Sequence, residues 1–551
     1  MDVLTCLSLA ALEAFVMMMV GDRGHSDSLP TVQTGCILFA IQYLLLKYYR
    51  IFLYHKYFSP LRHLPGPTDN HFFFGQSIKR VKADTTISSY VKWMKEHPDA
   101  PLLRYISFAN TEVLVPASVN ALREILQTHC YSFHKSPAWK RMVKEMAGNG
   151  VVTMESDRHR NHRRMLNGSF SVANMRKLEP TMKSIAAELS QLFDRAIAAC
   201  KDGKTGVINC TECFSKTTVD IMAMAMLGID LGNLRNTTFD GQSKVDKTDT
   251  TEFGFVEAYG IVFAPGTLGK MLMFVNGFVP IRWLPVKANR DFLFATSWLD
   301  NYITELLRKR RAEIETAMGS GKYESSDSRD FVTFLIEESM PGGPAEGIEE
   351  SEIIGDVLQS MLAGHETSAV SLAWSLYILA EKPDIQAKLR EELAELGDDM
   401  AWSRLDKLTY LENFIKESLR VYPPANGTFR QTADDVSISG VAIPKGTLVD
   451  VIAAVPQLSP AIWGDDADEV DPTRWDRLAG DQLSPFAFMA FLQGPRICIA
   501  RAMALMEMKI VLAEVVKNFR ILRVEKPFAV HNPGFTLRPN GLEVRFERID
   551  A

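Results

Sequence analysis

The sequence predicts a mainly α-helical catalytic domain with a small β region, preceded by an N-terminal membrane anchor. Apolar residues recur at helical spacing through most of the chain after residue 68. Short alternating runs, which are typical of strands, are concentrated near residues 436–452. Two long apolar runs precede the first proline-rich segment. The predicted division is an anchor at residues 1–58, a hinge at 59–67 and a catalytic domain at 68–551.

The anchor is predicted from apolar runs at residues 3–20 and 35–54, of which the first carries one charge, Glu13. One or both runs could cross a membrane, and the alternative is that they are buried core helices. Lysine and arginine residues follow the second run and place the catalytic domain on the cytosolic side. Three prolines and a glycine in residues 59–67 block helix formation and stiffen the hinge.

The catalytic domain is expected to be a series of helices interrupted by short strands. Residues 231–281 lack clear periodicity and suggest an irregular substrate lid, with core packing as an equally simple alternative. Residues 319–330 are predicted to be an exposed linker and residues 535–546 a hairpin. The predicted helices cover residues 86–97, 118–128, two stretches within 178–227, 298–316, 351–380, 385–396, 411–421 and 501–519, and the predicted strands cover 112–115, 436–438, 440–443 and 447–452.

Composition and charge narrow the function classes. The chain is 46% hydrophobic and 23% charged, as in ordinary globular proteins, and its formal net charge of −6 argues against a nucleic-acid partner. Seven scattered cysteines do not describe a disulfide framework and fit a reducing compartment. Cys210 and Cys213 have the spacing of a redox or zinc half-site, but no second pair accompanies them, so we interpret both as structural.

Cys498 is the first candidate functional residue because it lies where a loop meets a predicted helix, a position that stabilises a thiolate. A thiolate can serve as a nucleophile or as a ligand of zinc, an iron–sulfur cluster or haem iron. The nearest upstream cysteine is Cys213, which favours a lone ligand, as haem iron takes. Gly494 permits close approach to a flat ring, and Arg496 can reach an anionic substituent. The alternative is a buried structural cysteine.

A second candidate lies within the predicted helix 351–380, in the run from Ala363 through Gly364, Glu366 and Thr367. A mid-helix glycine is locally destabilising, and a threonine hydroxyl can bond backward to a carbonyl. Together they predict a local bulge that places an acid and a hydroxyl beside a ligand. Taken alone, this motif is also compatible with a purely structural role.

Two further patterns involve charged residues. His159 and Arg163 belong to a basic run inside a predicted helix, where a solvated helix face is the alternative. Glu417 and Arg420 are three residues apart, which puts a carboxylate and a guanidinium on one helix face. An exposed ion pair is the alternative for this second pattern.

The pattern Phe491-x-x-Gly494-x-Arg496-x-Cys498-x-Ala500 resembles the haem-binding signature of the cytochrome P450 superfamily, with alanine where the family usually has glycine. The resemblance implies the cytochrome P450 fold, with Cys498 as the ligand of the iron.

The same resemblance assigns roles to the other motifs. It makes Thr367 and Glu366, with Ala363 and Gly364, the alcohol and acid of an oxygen-activation helix. It implies a buried structural triad of Glu417, Arg420 and Arg474. It implies that His159, Arg163, Arg430, Phe491, Gly494 and Arg496 bind the cofactor. In this set His159 occupies the position where the family usually has tryptophan.

The implied cofactor is haem b (iron protoporphyrin IX), and the implied reaction inserts one oxygen atom from O2 into a small apolar substrate. Because no glycine-rich dinucleotide signature is present in the sequence, electrons from NADPH are expected through a separate flavoprotein, cytochrome P450 reductase, with cytochrome b5 as a further partner. The expected location is the lipid of the endoplasmic reticulum membrane. Likeness to filamentous-fungal members predicts a role in terpenoid, polyketide or alkaloid secondary metabolism.

Three alternatives remain open at this stage. The protein could catalyse an oxygen-independent haem rearrangement, or it could be a non-catalytic membrane-anchored haem protein. The acid and alcohol at Glu366 and Thr367 argue against both. A thiol-nucleophile hydrolase is the third, although no histidine is close to Cys498 in the sequence.

Overall fold

The computed structural model describes residues 2–20, 28–239, 254–320, 330–343, 345–397, 400–532 and 535–549. Most of the linker predicted at residues 319–330 lies outside the described residues. The helices are α1 Asp2–Val20, α2 Ser28–Tyr48, α3 Ser77–Lys82, α4 Ser88–Glu96, α5 Val119–Arg123, α6 Pro137–Ala147, α7 Ser156–Leu166, α8 Val172–Lys177, α9 Glu179–Ala199, α10 Cys210–Leu227, α11 Phe255–Phe263, α12 Thr267–Phe278, α13 Lys287–Gly319, α14 Phe331–Ser339, α15 Glu350–Glu381, α16 Pro383–Ala394, α17 Trp402–Leu405, α18 Thr409–Val421, α19 Ala454–Gln457, α20 Pro460–Trp463 and α21 Arg501–Asn518.

Small sheets lie at the edges of this helical body. One is a five-stranded sheet in the order β1-β2-β8-β5-β3, and another is a three-stranded sheet in the order β4-β12-β9. The strands are β1 Leu102–Ile106, β2 Glu112–Pro116, β3 Phe133–Lys135, β4 Thr205–Asn209, β5 Gly427–Thr432, β6 Val436–Ile438, β7 Val441–Ile443, β8 Leu448–Ile452, β9 Phe519–Val524, β10 Ala529–Val530, β11 Pro539–Asn540 and β12 Glu543–Arg548. The mainly helical fold with a small β region is therefore confirmed.

The hairpin predicted for residues 535–546 is wrong. Strand β11 pairs with β10, whereas β12 pairs with both β4 and β9. The true partners of β12 include β4, more than three hundred residues earlier in the chain, so local alternation could not identify them.

Helix α15 has the extent expected from the sequence, but the bulge predicted at Gly364 is absent. The helix is continuous from Glu350 to Glu381. A Cβ atom on Gly364 would lie 2.5 Å from the Cε atom of Met222 in α10. Met222 therefore packs directly on this glycine, and its flexible side chain would have to move if position 364 carried a Cβ atom.

The irregular structure predicted at residues 231–281 is wrong for residues 255–278, whereas residues 231–239 are irregular as expected. The substrate-lid role stays a prediction. Residues 255–278 form α11 and α12, which are bent by 59° where Pro265 and Gly266 interrupt them. Both helices are short and apolar and contain glycine, which makes their helical period hard to recognise in the sequence.

The N-terminal region contains the apolar helix expected of a membrane anchor. Among the described residues, Gln33–Phe58 is one straight helical segment long and apolar enough to cross a membrane, and the apolar helix Leu4–Val16 is shorter. The bent pair α11 and α12 meets the same criteria of length and composition as a broken span. Helices α1 and α2 contact each other, and the Gln42 side-chain amide donates to Glu13 at 2.6 Å.

Candidate active site

The loop before α21 holds Cys498 in a tight turn. The Cys498 backbone N–H donates to the carbonyl oxygen of Phe491 at 2.8 Å, which closes the loop. Leu492 and Gly494 have φ angles of 59° and 77°. A Cβ atom on Gly494 would lie 2.1 Å from the carbonyl oxygen of Leu126. Glycine at this position therefore allows the cysteine loop to pack directly on the backbone of a neighbouring segment.

The thiol of Cys498 is exposed, although protein surrounds it closely enough that burial raises its pKa. Because the Cys498 thiol is exposed and yet surrounded by protein, it lies at the bottom of a concave surface. The Ala500 N–H and the guanidinium groups of Arg163 and Arg501 act in the opposite direction and lower the pKa. The helix start therefore stabilises the thiolate in the expected direction, but burial outweighs this effect, and a bound metal ion would supply further stabilisation.

The alanine at position 500 fits without strain. Ala500 has φ −92° and ψ 18°, which L-residues adopt readily, and it directly precedes α21. The backbone at this position therefore does not need the glycine usual in the resembling family.

Basic side chains from separate elements converge near this loop. Arg430 of β5 is 3% exposed, and its Nη1 atom has no hydrogen-bond partner among the residues described. The Nε atom of Arg496 is likewise buried and unpaired within the described chain. Burial and the neighbouring Arg496 lower the pKa of Arg430 to about 10. Crowding of buried cations whose N–H groups are incompletely paired is costly unless a further anion is bound.

His159 and Arg163 of α7 belong to the same basic cluster. His159 is 3% exposed and lies 3.3 Å from the hydroxyl of Tyr131. Burial and then the charge of Arg496 are the main causes that lower the pKa of His159 to about 3, so its imidazole is neutral at physiological pH. A neutral ring can donate one hydrogen bond, which fits the donor role expected from the sequence.

Two members of the cluster were missed by the sequence reasoning. Lys135 of β3 is buried, and burial followed by the charges of Arg496 and Arg430 lowers its pKa well below the usual range. Glu155 accepts from the backbone N–H of Lys135 at 2.8 Å and forms an ion pair with Arg496. Neither residue belongs to a recognisable motif, and only the pairing of β3 with β5 brings Lys135 close to Arg430.

The acid and hydroxyl of α15 are both engaged. The hydroxyl of Thr367 donates to the Ala363 carbonyl oxygen at 2.6 Å, as the sequence predicted. Glu366 accepts from the Thr536 hydroxyl at 2.8 Å and lies 4.0 Å from the Arg538 guanidinium. The C-terminal segment therefore positions this carboxylate, a contact that the spacing of the motif could not indicate.

His365, between Gly364 and Glu366 on α15, is buried. Its ring nitrogens lie 2.8 Å from the Ser215 hydroxyl and 3.3 Å from the Tyr259 hydroxyl. Burial, reinforced by Arg538, lowers its pKa to about 4. The ring therefore links α15 to α10 and α11 as a neutral group.

The structure brings the expected triad together in the interior. Arg420 donates to the two Glu417 carboxylate oxygens at 2.9 and 2.8 Å, and both residues are fully buried. Arg474 reaches the same carboxylate at 3.3 Å. The Arg420 guanidinium also donates to the backbone carbonyls of residues 457, 467 and 469. This pair is therefore not the exposed ion pair considered as the alternative.

The residues fit an iron porphyrin. An accessible thiol at the floor of a concavity suits the iron, and the surplus of buried cations over the single carboxylate of Glu155 suits the two ring propionates. Within the described part of the chain, the residues that could hold these propionates are Lys135, His159, Arg163, Arg430 and Arg496.

Comparison with known proteins agrees with this geometry. Residues 64–546 match the family described as "Cytochrome P450". The chain belongs to the cytochrome P450 family. Membership implies a haem cofactor, a redox partner and a small-molecule substrate.

Relatives of this P450 span almost its whole length. It is 27% identical to "Cytochrome P450 monooxygenase sphH" of Aspergillus fumigatus over 91% of both chains. It is 26% identical to "Cytochrome P450 monooxygenase buaD" of Petromyces alliaceus over 96% of both chains. With "Cytochrome P450 monooxygenase FUM15" of Gibberella moniliformis the identity is 24%, over 100% of this chain and 99% of the relative. The protein is an oxidoreductase of the monooxygenase class.

Replacing Arg430 by methionine is expected to loosen the haem of this P450. A buried hydrogen bond to a charged group contributes about 1.5–3 kcal/mol, so haem should dissociate roughly tenfold faster or more. The same change should stabilise the haem-free protein, because it removes an unpaired buried cation. Haem transfer to apomyoglobin and thermal melting of the apoprotein measure the two effects. Arg523→Met, an exposed arginine of β9, is the control, and equal haem loss in both variants would contradict the assignment.

Proposed function

We propose that this P450 is a membrane-anchored monooxygenase that uses NADPH-derived electrons from a separate flavoprotein reductase to oxidise an apolar secondary metabolite. The observation that carries the proposal is the accessible thiol of Cys498 beside a cluster of buried, incompletely paired cations. When haem is bound, its iron supplies O2 activation, and the thiolate increases electron density on the iron.

The protein's part in the reaction is to hold the cofactor and deliver protons. Cys498 is proposed to coordinate the iron, while Arg163, Arg430 and Arg496 with His159 bind the propionates. Phe491 and Gly494 shape the loop that presents the sulfur. Their positions in one cluster and one loop support these roles.

Proton delivery is assigned to α15. The Thr367 hydroxyl, anchored on the Ala363 carbonyl oxygen, is assigned as the group that would hold the proton at the cofactor site, and Glu366 as the acid that would resupply it. Thr536 and Arg538 fix the Glu366 carboxylate from the side of the C-terminal segment. Gly364 lets α10 support the helix closely at this point.

The apolar helices α11 and α12 are proposed to cover the substrate. His365 ties α11 to α15 through Tyr259, so movement of this cover is coupled to the helix that carries Thr367. The apolar composition of both helices supports a mostly apolar substrate.

The cellular setting follows from the anchor and the relatives. Residues 1–58 are proposed as the anchor in the lipid of the endoplasmic reticulum, residues 59–67 as the hinge, and residues 68–551 as a cytosolic domain that receives electrons from cytochrome P450 reductase, with cytochrome b5 as a second donor. The apolar helix Gln33–Phe58 supports the anchor. Terpenoid, polyketide or alkaloid secondary metabolism is proposed because the relatives compared above are monooxygenases of fungi.

Reconstitution with reductase tests this function. NADPH consumption that depends on an added metabolite, with one oxygen atom from labelled O2 in the product, is expected. Product formation without NADPH or O2 would instead identify an oxygen-independent rearrangement. Haem binding without turnover of any metabolite from a producing strain would identify a non-catalytic haem protein.

Thr367→Ala is expected to uncouple NADPH use from product. Loss of the hydroxyl removes the last donor proposed for bound oxygen, so general acid assistance, worth roughly 100-fold or more, is weakened and peroxide is released instead. Peroxide and product per NADPH are the quantities to measure. Thr296→Ala removes a similarly back-bonded threonine hydroxyl in α13 and should leave coupling unchanged. Unchanged coupling in Thr367→Ala would count against this role.

A further inference from the structure

Glu507 of α21 is a carboxyl group buried in the core for which the proposed function provides no role. It is 1% exposed, and one of its oxygens accepts from the Ser368 hydroxyl at 2.7 Å. Its other oxygen, Oε1, has no hydrogen-bond partner among the described residues. Ser368 directly follows Thr367 on α15, and Glu507 lies on the helix that follows Cys498. The contact therefore joins the oxygen-activation helix to the helix of the iron-ligand loop.

The surroundings of Glu507 favour its neutral form. Burial raises the pKa of Glu507 to about 8, and the Ser368 hydroxyl is the one group that acts against this rise. No cation in the described chain neutralises the negative charge that Glu507 would carry as a carboxylate. A buried carboxylate without a counter-ion is costly, whereas a carboxylic acid needs only ordinary hydrogen bonds.

Charged groups on the packed helices are engaged elsewhere. On α15, His365 contacts Ser215 and Tyr259, and Glu366 contacts Thr536. On α21, Arg501 lies over the Phe491 ring, Lys509 contacts Asp406 and Glu412, and Glu514 contacts Ser190. On α18, Glu417 pairs with Arg420. None of these groups neutralises Glu507.

We propose that Glu507 is a positioning residue of the oxygen-activation site: as a neutral carboxylic acid it holds Ser368, and through it the turn of α15 that carries Thr367, at a fixed place relative to the Cys498 loop. Ionisation at alkaline pH would strengthen the Ser368 hydrogen bond but leave a charged Oε1 atom without a partner between the two helices, so hydration of that oxygen would compete with the packing of α21 on α15. Because the proposal concerns the placement of Thr367, it rests on the proton-delivery role given above.

The protonation state has a test that does not depend on turnover. An unfolded glutamate ionises near pH 4.3, so between that pH and about 8 the folded protein holds one more proton than the unfolded chain. The stability of the wild type should therefore fall as pH rises through this window. Glu507→Gln cannot ionise, so the holoenzyme variant should melt above the wild type at pH 7.5 and should converge with it below pH 5. Parallel melting curves across the window would overturn the neutral assignment.

The positioning role is tested by coupling. Glu507→Gln keeps a neutral hydrogen-bond partner for Ser368 and should couple NADPH to product like the wild type at pH 7, but without the wild type's loss of coupling above about pH 8. Ser368→Ala and Glu507→Leu remove the tie, and loss of one buried hydrogen bond should raise peroxide release by about fivefold. Ser375→Ala removes another buried hydroxyl of α15, two turns away, and should behave as wild type. Wild-type coupling in Ser368→Ala, or identical pH profiles for the wild type and Glu507→Gln, would overturn the proposal.

Failure of the proposed function would look different. If Thr367→Ala itself leaves coupling unchanged, the proton-delivery role fails while the melting experiment still reports the state of Glu507. If Thr367→Ala uncouples and Ser368→Ala does not, only the positioning role of Glu507 is wrong.

Discussion

Cys498→Ser is expected to reduce monooxygenase turnover to background. A serine hydroxyl is a weaker electron donor than a thiolate. Burial in this site already disfavours the ionised form of the thiol, so it also keeps a serine hydroxyl protonated. The fold should survive, because the two side chains are similar in size and the loop is held by backbone contacts from residues 491 and 126. Product formation with reductase and the haem content of the purified protein measure the effect.

The control for this substitution is another cysteine. Cys200 is free and partly exposed, and it lies at the end of α9. Cys200→Ser should retain wild-type turnover and haem content. Turnover in Cys498→Ser near that of Cys200→Ser would exclude Cys498 as the iron ligand.

Arg420→Met is expected to give the second largest effect, a loss of folded holoprotein. The substitution removes the two-pronged partner of the buried Glu417 carboxylate and leaves Arg474, at 3.3 Å, as its cationic partner; breaking a buried ion pair in this way costs about 3–5 kcal/mol. A loss of this size is a large part of a typical folding free energy of about 5–15 kcal/mol. The urea midpoint and the haem content of the soluble fraction measure it.

Two further variants separate charge from packing in this prediction. In the double variant Glu417→Gln with Arg420→Met no incompletely paired carboxylate remains, so stability should be partly restored relative to Arg420→Met alone. Arg477→Met removes an exposed arginine that pairs with Asp471 and should change the midpoint little. If the double variant were as unstable as the sum of its single substitutions, the two side chains would not act as a pair.

Most residues of the candidate site could be predicted from local sequence motifs. Cys498, Arg496, Glu417 and Arg420 could be assigned from short spacings, because each lies within a few residues of a partner or turn that gives it meaning. Arg474 needed the family resemblance, since its carboxylate partner lies more than fifty residues earlier. The structure brings Glu417, Arg420 and Arg474 together as expected, whereas the haem contacts of Cys498 and Arg496 stay predictions.

The contacts that sequence could not predict are those between distant segments. Lys135 approaches Arg430 through strand pairing, Thr536 reaches Glu366 from the C-terminal segment, and Glu507 meets Ser368 across two helices. None of these residues has a local spacing that indicates its partner. Their roles become visible only through burial and unpaired polar atoms.

Two of the errors in the fold concern helices. Helices α11 and α12 escaped prediction because both are short, contain the glycines 260, 269 and 277, and are separated by Pro265 and Gly266. The bulge predicted at Gly364 does not form, and the back-bonded Thr367 is accommodated within a continuous helix.

The most direct test of the account is the absorbance spectrum of the reduced protein under carbon monoxide, recorded for the wild type and Cys498→Ser side by side. We expect the long-wavelength Soret band of a thiolate-ligated haem in the wild type and its absence in the variant. A wild-type spectrum without that band, or the same band in both proteins, would contradict a Cys498 thiolate bound to iron.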